Sequence, residues 1–359
     1  MLTLREARRA LGNWIAITRN RLRGRSYVPH PRRGIFVETS ARCNLACRFC
    51  AYDDTGPGKL MPMDLFRSTI RQIVDAGFDF VYLTPMLGEA FADPTLLEKF
   101  EVLEREPAIR GYSFYSNFIL PDAETIRALP RFTKLHGLHI SLYGFDEASF
   151  VLTTRKPAKQ FQRLRDNLVT LLDVTASWKP VGGLHFNART VQTSTPFIAQ
   201  SSPFVSLLRR LRDERGARVN EDLEYDNWGG TIRDEDVAPL GITLTDGRHL
   251  YMRGACSRIF GELQIKADGA VHACACRDAD GSLRIGHLNS TPLAEILSSQ
   301  NPAYRGLIEQ QQQGIFGANC RSCSAYRSVF DDRPSRSNPD LETMSLTDAI
   351  AVLSVSAKK

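Results

Sequence analysis

Nowhere in its 359 residues does the sequence hold a run of apolar residues approaching the roughly twenty that a membrane-spanning helix needs. The N-terminus also lacks the apolar core of a secretory signal, so the expected location is the cytoplasm. Acid is scarce at the start: residues 1–33 carry nine arginines against Glu6 alone, a net +8, which leaves −2 for the rest of a chain whose total is +6. A body so close to neutral lacks the basic face that phosphate backbones demand, so nucleic acid is not an expected partner. Cysteine is missing between Cys50 and Cys256, and no internal repeat is found.

What is present is enough for a large domain and a small one. Hydrophobic residues make up 43% and charged residues 24%, a balance that builds a core and excludes disorder over most of the length. Eight cysteines fall at the two ends, Cys43, Cys47 and Cys50 in one set and Cys256, Cys274, Cys276, Cys320 and Cys323 in the other. A disulfide framework belongs to small secreted chains, so clustered thiols here read as metal ligands.

From Gly34 onward, short apolar runs alternate with amphipathic stretches. Ile35-Phe36-Val37, Phe80 to Leu83, Tyr112 to Tyr115, Leu138 to Ile140, Leu184 to Phe186 and Leu223 to Tyr225 are candidate strands. Between them, Phe66-Ile70-Ile73-Val74, Leu96-Phe100-Leu103 and Leu164-Leu168-Leu171-Leu172 recur at helical spacing. Alternation of this kind implies a parallel sheet with helical crossovers. Residues 34–232 therefore read as a six-unit β/α domain, open or partly closed, and 1–33 as a basic helical segment. Residues 233–327 read as a polar linker followed by a small cluster-binding domain, and 328–359 as a tail ending in a short helix. In that small domain, Leu263-Gln264-Ile265 and Val271-His272-Ala273 flank Asp268-Gly269, a strong hairpin signal.

The first cysteines stand as Cys43-x3-Cys47-x2-Cys50 directly after the first predicted strand. Three thiolates on one loop can hold three irons of a [4Fe–4S] cube and leave the fourth open, by the logic that separates catalytic from closed metal sites. The alternative is a zinc knuckle, but no fourth cysteine is near in sequence and the closest histidine, His30, precedes the strand. The other set, Cys256, Cys274, Cys320 and Cys323, offers four thiols, enough for a closed cluster or for a structural zinc.

The loop, with Phe49 before its third cysteine and its place after strand one, resembles the radical S-adenosylmethionine (SAM) superfamily. The spacing of the second set, with Asp268-Gly269 before Cys274 and Gly286-His287-Leu288 after it, resembles the twitch form of the SPASM domain. The resemblance implies a partial (β/α)6 TIM-like barrel with a small α+β auxiliary domain. It also implies SAM and two [4Fe–4S] clusters as cofactors. SAM bound to the open iron would be cleaved by one electron to methionine and a 5′-deoxyadenosyl radical that abstracts substrate hydrogen. An external one-electron reductant such as flavodoxin or ferredoxin is then implied.

Residue by residue, Gly88-Glu89 resembles the family's Gly-Gly-Glu motif, with Leu87 where its first glycine stands, and the acid would receive the methionine ammonium. Ser116, Asn117 and Ser141 lie at later strand ends, suited to ribose and carboxylate hydrogen bonds, or to ordinary turns. Arg155 would pair with the SAM carboxylate. Cys276 is surplus to a four-cysteine cluster; it is a bystander, a substitute ligand or, as in some radical SAM epimerases, a hydrogen-atom donor. His185 and Asn187 share a strand face toward the barrel or a core, and Trp228 would stack or cap.

The resemblance extends to dehydrogenases of aminocyclitols, so the expected substrate is a small sugar or aminocyclitol, oxidised while the auxiliary cluster takes an electron. Redox-neutral epimerisation or dehydration, and modification of a ribosomal peptide, are the alternatives. At the N-terminus Leu4, Leu11, Trp14 and Ile15 form a loose apolar face. It is expected to pack on the barrel rim; adsorption to an anionic membrane or acidic partner is the other reading, and an Arg-rich start also resembles an organelle transit peptide.

Overall fold

In a computed structural model, residues 4–52, 58–84, 86–245, 247, 250–275, 277–333 and 342–354 are described. After helix α1 (Leu4–Leu22) and strand β1 (Val28–Pro29) come β2 (Ile35–Val37), α2 (Met63–Asp75), β3 (Phe80–Tyr82), α3 (Leu96–Arg105) and β4 (Gly111–Ser116). The alternation continues with α4 (Ala123–Ala128), β5 (Leu135–Leu142), α5 (Glu147–Thr154), α6 (Ala158–Val174), β6 (Gly183–Ala188), α7 (Pro203–Arg215) and β7 (Arg218–Glu221). Strands β2 to β7 pair in order and in parallel, the partial barrel expected of six β/α units.

Period-two alternation decides the two faces of this sheet. Val81, Tyr112, Phe114, Leu138, Ile140, Leu184 and Phe186 are buried against the helices. The expected helical stripes meet them: Phe66, Ile70 and Ile73 on α2, Phe100 on α3, and Leu164, Leu168 and Leu171 on α6 are all buried. The Phe100 ring packs at a tilt against Tyr112 and Phe114, with centroids 5.1 and 5.2 Å apart. The opposite face is polar and aromatic. There Tyr115, His139 and His185 are register partners on β4, β5 and β6, and their rings stack at 4.3 and 4.5 Å.

Four features depart from the sequence reading. The sixth strand is Arg218–Glu221 rather than 223–225; as a polar edge strand it has no apolar alternation to betray it, and Leu223 is exposed. Tyr225–Asp226 (β8) pairs instead with Leu244–Thr245 (β9). The segment read as a polar linker is packed, with Val237, Leu240 and Ile242 buried.

The hairpin of β10 (Gln264–Ile265) and β11 (Ala270–His272) forms as expected, with Gly269 at φ +93° in its turn. It does not stand apart, however. β10 pairs in parallel with β2, and β12 (Arg284–His287) follows β11, so the barrel sheet grows to nine strands in the order β12-β11-β10-β2-β3-β4-β5-β6-β7. Buried Glu38, after β2, accepts a 2.6 Å ion pair from Lys266 across this junction.

The last departure concerns α1. It buries Asn13, Ala16, Ile17 and Asn20, while Leu11, Trp14 and Ile15 face solvent. The inward asparagines serve the backbone: Asn20 donates to the Phe330 carbonyl at 3.0 Å, and Asn13 accepts from the Tyr251 amide at 3.1 Å. Residues that hydropathy counts as surface thus face the protein. At the other end, β13 (Thr343–Met344) pairs with β1, and the expected terminal helix spans Leu346–Ser354.

Candidate active site at the strand ends

Loops that follow the C-terminal ends of parallel strands converge where β/α folds place their chemistry. Here they enclose a cavity of about 570 Å³, within the range of ligand sites. Cys43, Cys47 and Cys50, from the loop after β2, line it. So do Gly88 and Glu89 after β3, Ser116 and Asn117 at the end of β4, and Ser141 on β5.

The cysteine loop is held by its own backbone. The amides of Leu45 and Tyr52 donate to Sγ of Cys43 and Cys50, each at 3.4 Å, and the Tyr52 hydroxyl meets the Cys43 amide at 3.1 Å. Burial drives the Cys47 thiol well above its ordinary pKa, and negative charge at Cys50 and Cys43 adds to the effect. Burial raises Cys50 likewise. Three clustered thiols, Cys47 buried and Cys43 and Cys50 half-buried, that repel one another as thiolates call for a positively charged partner, which a metal centre supplies. Among the described residues, no three His, Cys, Asp or Glu side chains gather closely enough to hold a single metal ion. Thiolates are the ligands an iron–sulfur cube takes, and three of them on one loop suit such a centre with one iron left open.

Glu89 is 2% exposed and fully committed to donors. Ser116 Oγ donates to its Oε1 at 2.5 Å, the Asn117 amide to its Oε2 at 2.6 Å, and the Phe91 amide to Oε1 at 3.2 Å. Burial outweighs these three bonds and pushes its pKa up to about 7. A carboxylate fixed this way, with no cation paired to it among the described residues, is suited to an ammonium ligand.

Phe49, which the resemblance places among the cofactor-binding residues, is buried and lines the cavity, its ring 5.6 Å from Tyr143 and 5.3 Å from Tyr225. Arg155 does not reach the cavity wall. It caps α5 in the left-handed region at φ 58°, and its Nε donates to the Ala46 carbonyl at 2.6 Å, bracing the cysteine loop from outside. Facing the thiols inside the cavity are Tyr143 and Arg189, which the sequence reading passed over. Tyr143 continues the inward series Gly137-His139-Ser141, so period two along β5 could have found it. Arg189 follows β6, pairs with Asp222 at 2.7 Å, and carried no motif.

The second constellation sits behind the opposite wall. Ser257 and Ala275, neighbours of Cys256 and Cys274, line the cavity, but the thiols themselves do not. Cys256 lies on an isolated bridge to Ser328, and its amide donates to Gln311 Oε1 at 2.8 Å. Gln311 Nε2 is 3.8 Å from Cys320 Sγ. Burial, and then the charge of Cys256, push the Cys320 thiol up to about 12. These half-buried sulfurs again call for positive charge. No disulfide joins the described cysteines. Cys276 lies outside the described residues. Trp228, at φ 49°, lines the cavity: its indole donates to the Phe49 carbonyl at 3.0 Å, and Arg277 lies over its ring at 4.9 Å.

Known proteins bear on this arrangement. The family model of the radical SAM superfamily matches residues 37–176, and that of an iron–sulfur cluster-binding domain, SPASM, matches residues 256–324. Among solved structures, the chain is similar to BtrN in complex with AdoMet and 2-DOIA, at 12% identity and a TM-score of 0.52, over 87% of this chain and 98% of that one. It is similar to Streptococcus suis SuiB bound to the precursor peptide SuiA, at 14% identity and a TM-score of 0.53, over 88% of this chain and 73% of that one. At such identities the likeness is one of fold. No curated protein matches the sequence.

Proposed function

We propose, for a chain that belongs to the radical SAM superfamily, carries a SPASM domain and uses SAM and two iron–sulfur clusters, that its reaction is the dehydrogenation of a carbohydrate- or aminocyclitol-like alcohol. When bound, SAM and the clusters supply one-electron chemistry, reductive cleavage of SAM for hydrogen abstraction at the carbinol carbon and a sink for the electron left on the substrate, while the hydroxyl proton passes to solvent. A flavodoxin- or ferredoxin-type protein would deliver the reducing electron.

In this reading Cys43, Cys47 and Cys50 ligate the SAM-binding cluster, and Cys256, Cys274, Cys320 and Cys323 the auxiliary one. Glu89 accepts the methionine ammonium, held in place by Ser116 and Asn117. Ser141, Tyr143 and Arg189 present hydroxyl and guanidinium donors to the rest of SAM, and Arg155 steadies the loop. The observation that carries the substrate class is the inner wall itself. Tyr82, Tyr115 and His139 offer ring faces and hydrogen-bonding edges in one place, the combination that a ring bearing several hydroxyls requires. Likeness to BtrN, solved with 2-DOIA, supports the same class.

The test is anaerobic reconstitution with a reductant, SAM and a panel of sugars and aminocyclitols in deuterated water. The reading expects 5′-deoxyadenosine in step with a product two hydrogens lighter and free of solvent deuterium at the reacting carbon. A product one mass unit heavier, with one deuterium at that carbon, would establish redox-neutral epimerisation, and turnover only with peptides would establish a peptide modifier.

A further inference from the structure

The cavity wall holds five arginines, Arg33, Arg189, Arg258, Arg277 and Arg327, against two carboxylates, Glu89 and Glu262. Three of the five are answered by acids. Arg189 pairs with Asp222, Arg277 with Asp226, and Arg258 with both oxygens of Glu262 at 2.5 and 2.6 Å. Arg33 and Arg327 have no carboxylate at ion-pair distance among the described residues. Arg327 uses only Nη2, on the carbonyls of Asp331 and Arg333, and nearby Asp331 is already engaged by Arg333.

These unmatched charges are set in a rigid frame. The Ser257 amide donates to the Arg327 carbonyl at 2.7 Å and the Val329 amide to the Ala255 carbonyl at 2.9 Å, which ties together the segments bearing Arg258 and Arg327. Arg258 Nε is fixed on the Ala325 carbonyl at 2.9 Å. Across from them, Gly261 abuts Pro29, four residues before Arg33. Guanidinium groups from the N-terminal segment and from the SPASM side thus share the lining of one cavity. None of them is assigned to SAM or to a cluster above.

We propose that Arg33 and Arg327, with Arg258 in the same cavity wall, form a phosphate subsite, and that the substrate is a phosphorylated carbohydrate or cyclitol rather than a free one. Guanidinium forks match phosphate oxygens in pairs, and arginines lining a low-dielectric cavity draw anions toward it. The proposal rests on the small-molecule reading above for the word substrate; the anion site itself does not depend on it.

The experiment is titration calorimetry of the reconstituted, SAM-loaded protein with inorganic pyrophosphate, glucose 1-phosphate, UDP-glucose, glucuronate and glucose. Pyrophosphate and at least one phosphorylated sugar should bind, glucose should not, and Arg33→Met/Arg327→Met should weaken pyrophosphate at least tenfold. Arg33→Lys/Arg327→Lys should recover part of that loss, and an exposed control outside the cavity, Arg165→Met, should lose nothing. Iron content and substrate-free SAM cleavage report separately on the radical SAM assignment, so its failure would be visible while pyrophosphate still bound. Pyrophosphate that fails to bind the wild type, or binds the double variant as tightly, overturns the proposal. So does preference for glucuronate over the phosphates, which would make the anion a carboxylate.

Discussion

The indole of Trp228 is hydrogen-bonded to the carbonyl of Phe49, 179 positions earlier in the chain, at 3.0 Å. One side chain after β8 therefore pins the residue next to Cys50, and it does so from the left-handed region of backbone space. Trp228→Phe keeps a ring under Arg277 but removes the donor. A neutral hydrogen bond is worth about 1 kcal/mol, so the cysteine loop should open several-fold more often. The expected result is faster loss of iron from the N-terminal site under a chelator, with the auxiliary site unchanged, followed by absorbance.

Reconstituted protein should carry two clusters, about eight irons per chain. Replacing Cys43, Cys47 and Cys50 together with alanine should leave about four irons and no SAM cleavage. One zinc and no sulfide in the wild type would contradict the cluster assignment. SAM cleavage that survived the triple substitution would place the chemistry elsewhere.

Glu89→Gln should weaken SAM by removing a charge-assisted bond, about 1.5–3 kcal/mol or ten- to a hundredfold in Kd. The pH dependence follows from the same group. With its pKa raised to about 7 by burial, Glu89 is largely protonated below neutrality and must lose that proton before it can face an ammonium. SAM affinity should therefore rise with pH up to about 7 and level off above it, and Glu89→Gln should flatten the rise. Calorimetry at pH 6 and pH 8 measures both, and an unchanged Kd in the variant would show that another group holds the ammonium.

How much of this could be read from the sequence depended on whether a residue's role repeats at a fixed spacing. Cys43-x3-Cys47-x2-Cys50, the α2, α3 and α6 stripes and the Asp268-Gly269 hairpin all have local signatures, and all stand where they were expected. Residues whose partners are remote in the chain have none. Nothing near Arg189 marks it as a cavity residue, because its place is set by β6 and by Asp222. Arg155 follows α5 at a motif position, yet a 2.6 Å bond to Ala46 turns it away from the cavity. β7 is a polar edge strand, and the junction of β10 with β2 joins segments more than two hundred residues apart.

The loop that carries Glu89 is anchored by a buried ion pair. Lys99, fully buried on α3, pairs with Asp93 and donates to the Met61 carbonyl at 2.6 Å, while Asp93 also accepts from the Thr95 amide and hydroxyl. Removing one partner of such a pair strands a buried charge, at about 3–5 kcal/mol. Lys99→Met should cost that much in urea denaturation, and Asp93→Asn/Lys99→Met should recover a good part of it. Equal losses in the single and double variants would show that packing of the lysine stem, not charge, carries the effect.

The last prediction sets two buried groups against each other. Burial, and then its histidine neighbours, lower the His139 pKa to about 4, so the folded chain keeps it neutral where the unfolded chain binds a proton. From about pH 4 to 6.5 the unfolded state holds more protons at this site, and stability gained through His139 rises with pH. Glu89 has the opposite sign. Its folded pKa, about 7, lies above the unfolded value of 4.5, so its contribution is fully present below 4.5 and is lost as pH rises through 7. Each shift is worth about 3 kcal/mol at most, and the windows overlap from about pH 4.5 to 6.5, where the two slopes largely cancel. In the SAM-free protein the contributions of these two groups to the unfolding free energy should therefore largely offset each other across that interval. His139→Phe, which keeps a ring between Tyr115 and His185, should unmask stability that falls with rising pH. Glu89→Gln should unmask stability that rises. Urea denaturation at pH 4.8, 5.6 and 6.4 reads the slopes directly, and parallel slopes in the two variants would refute the opposition.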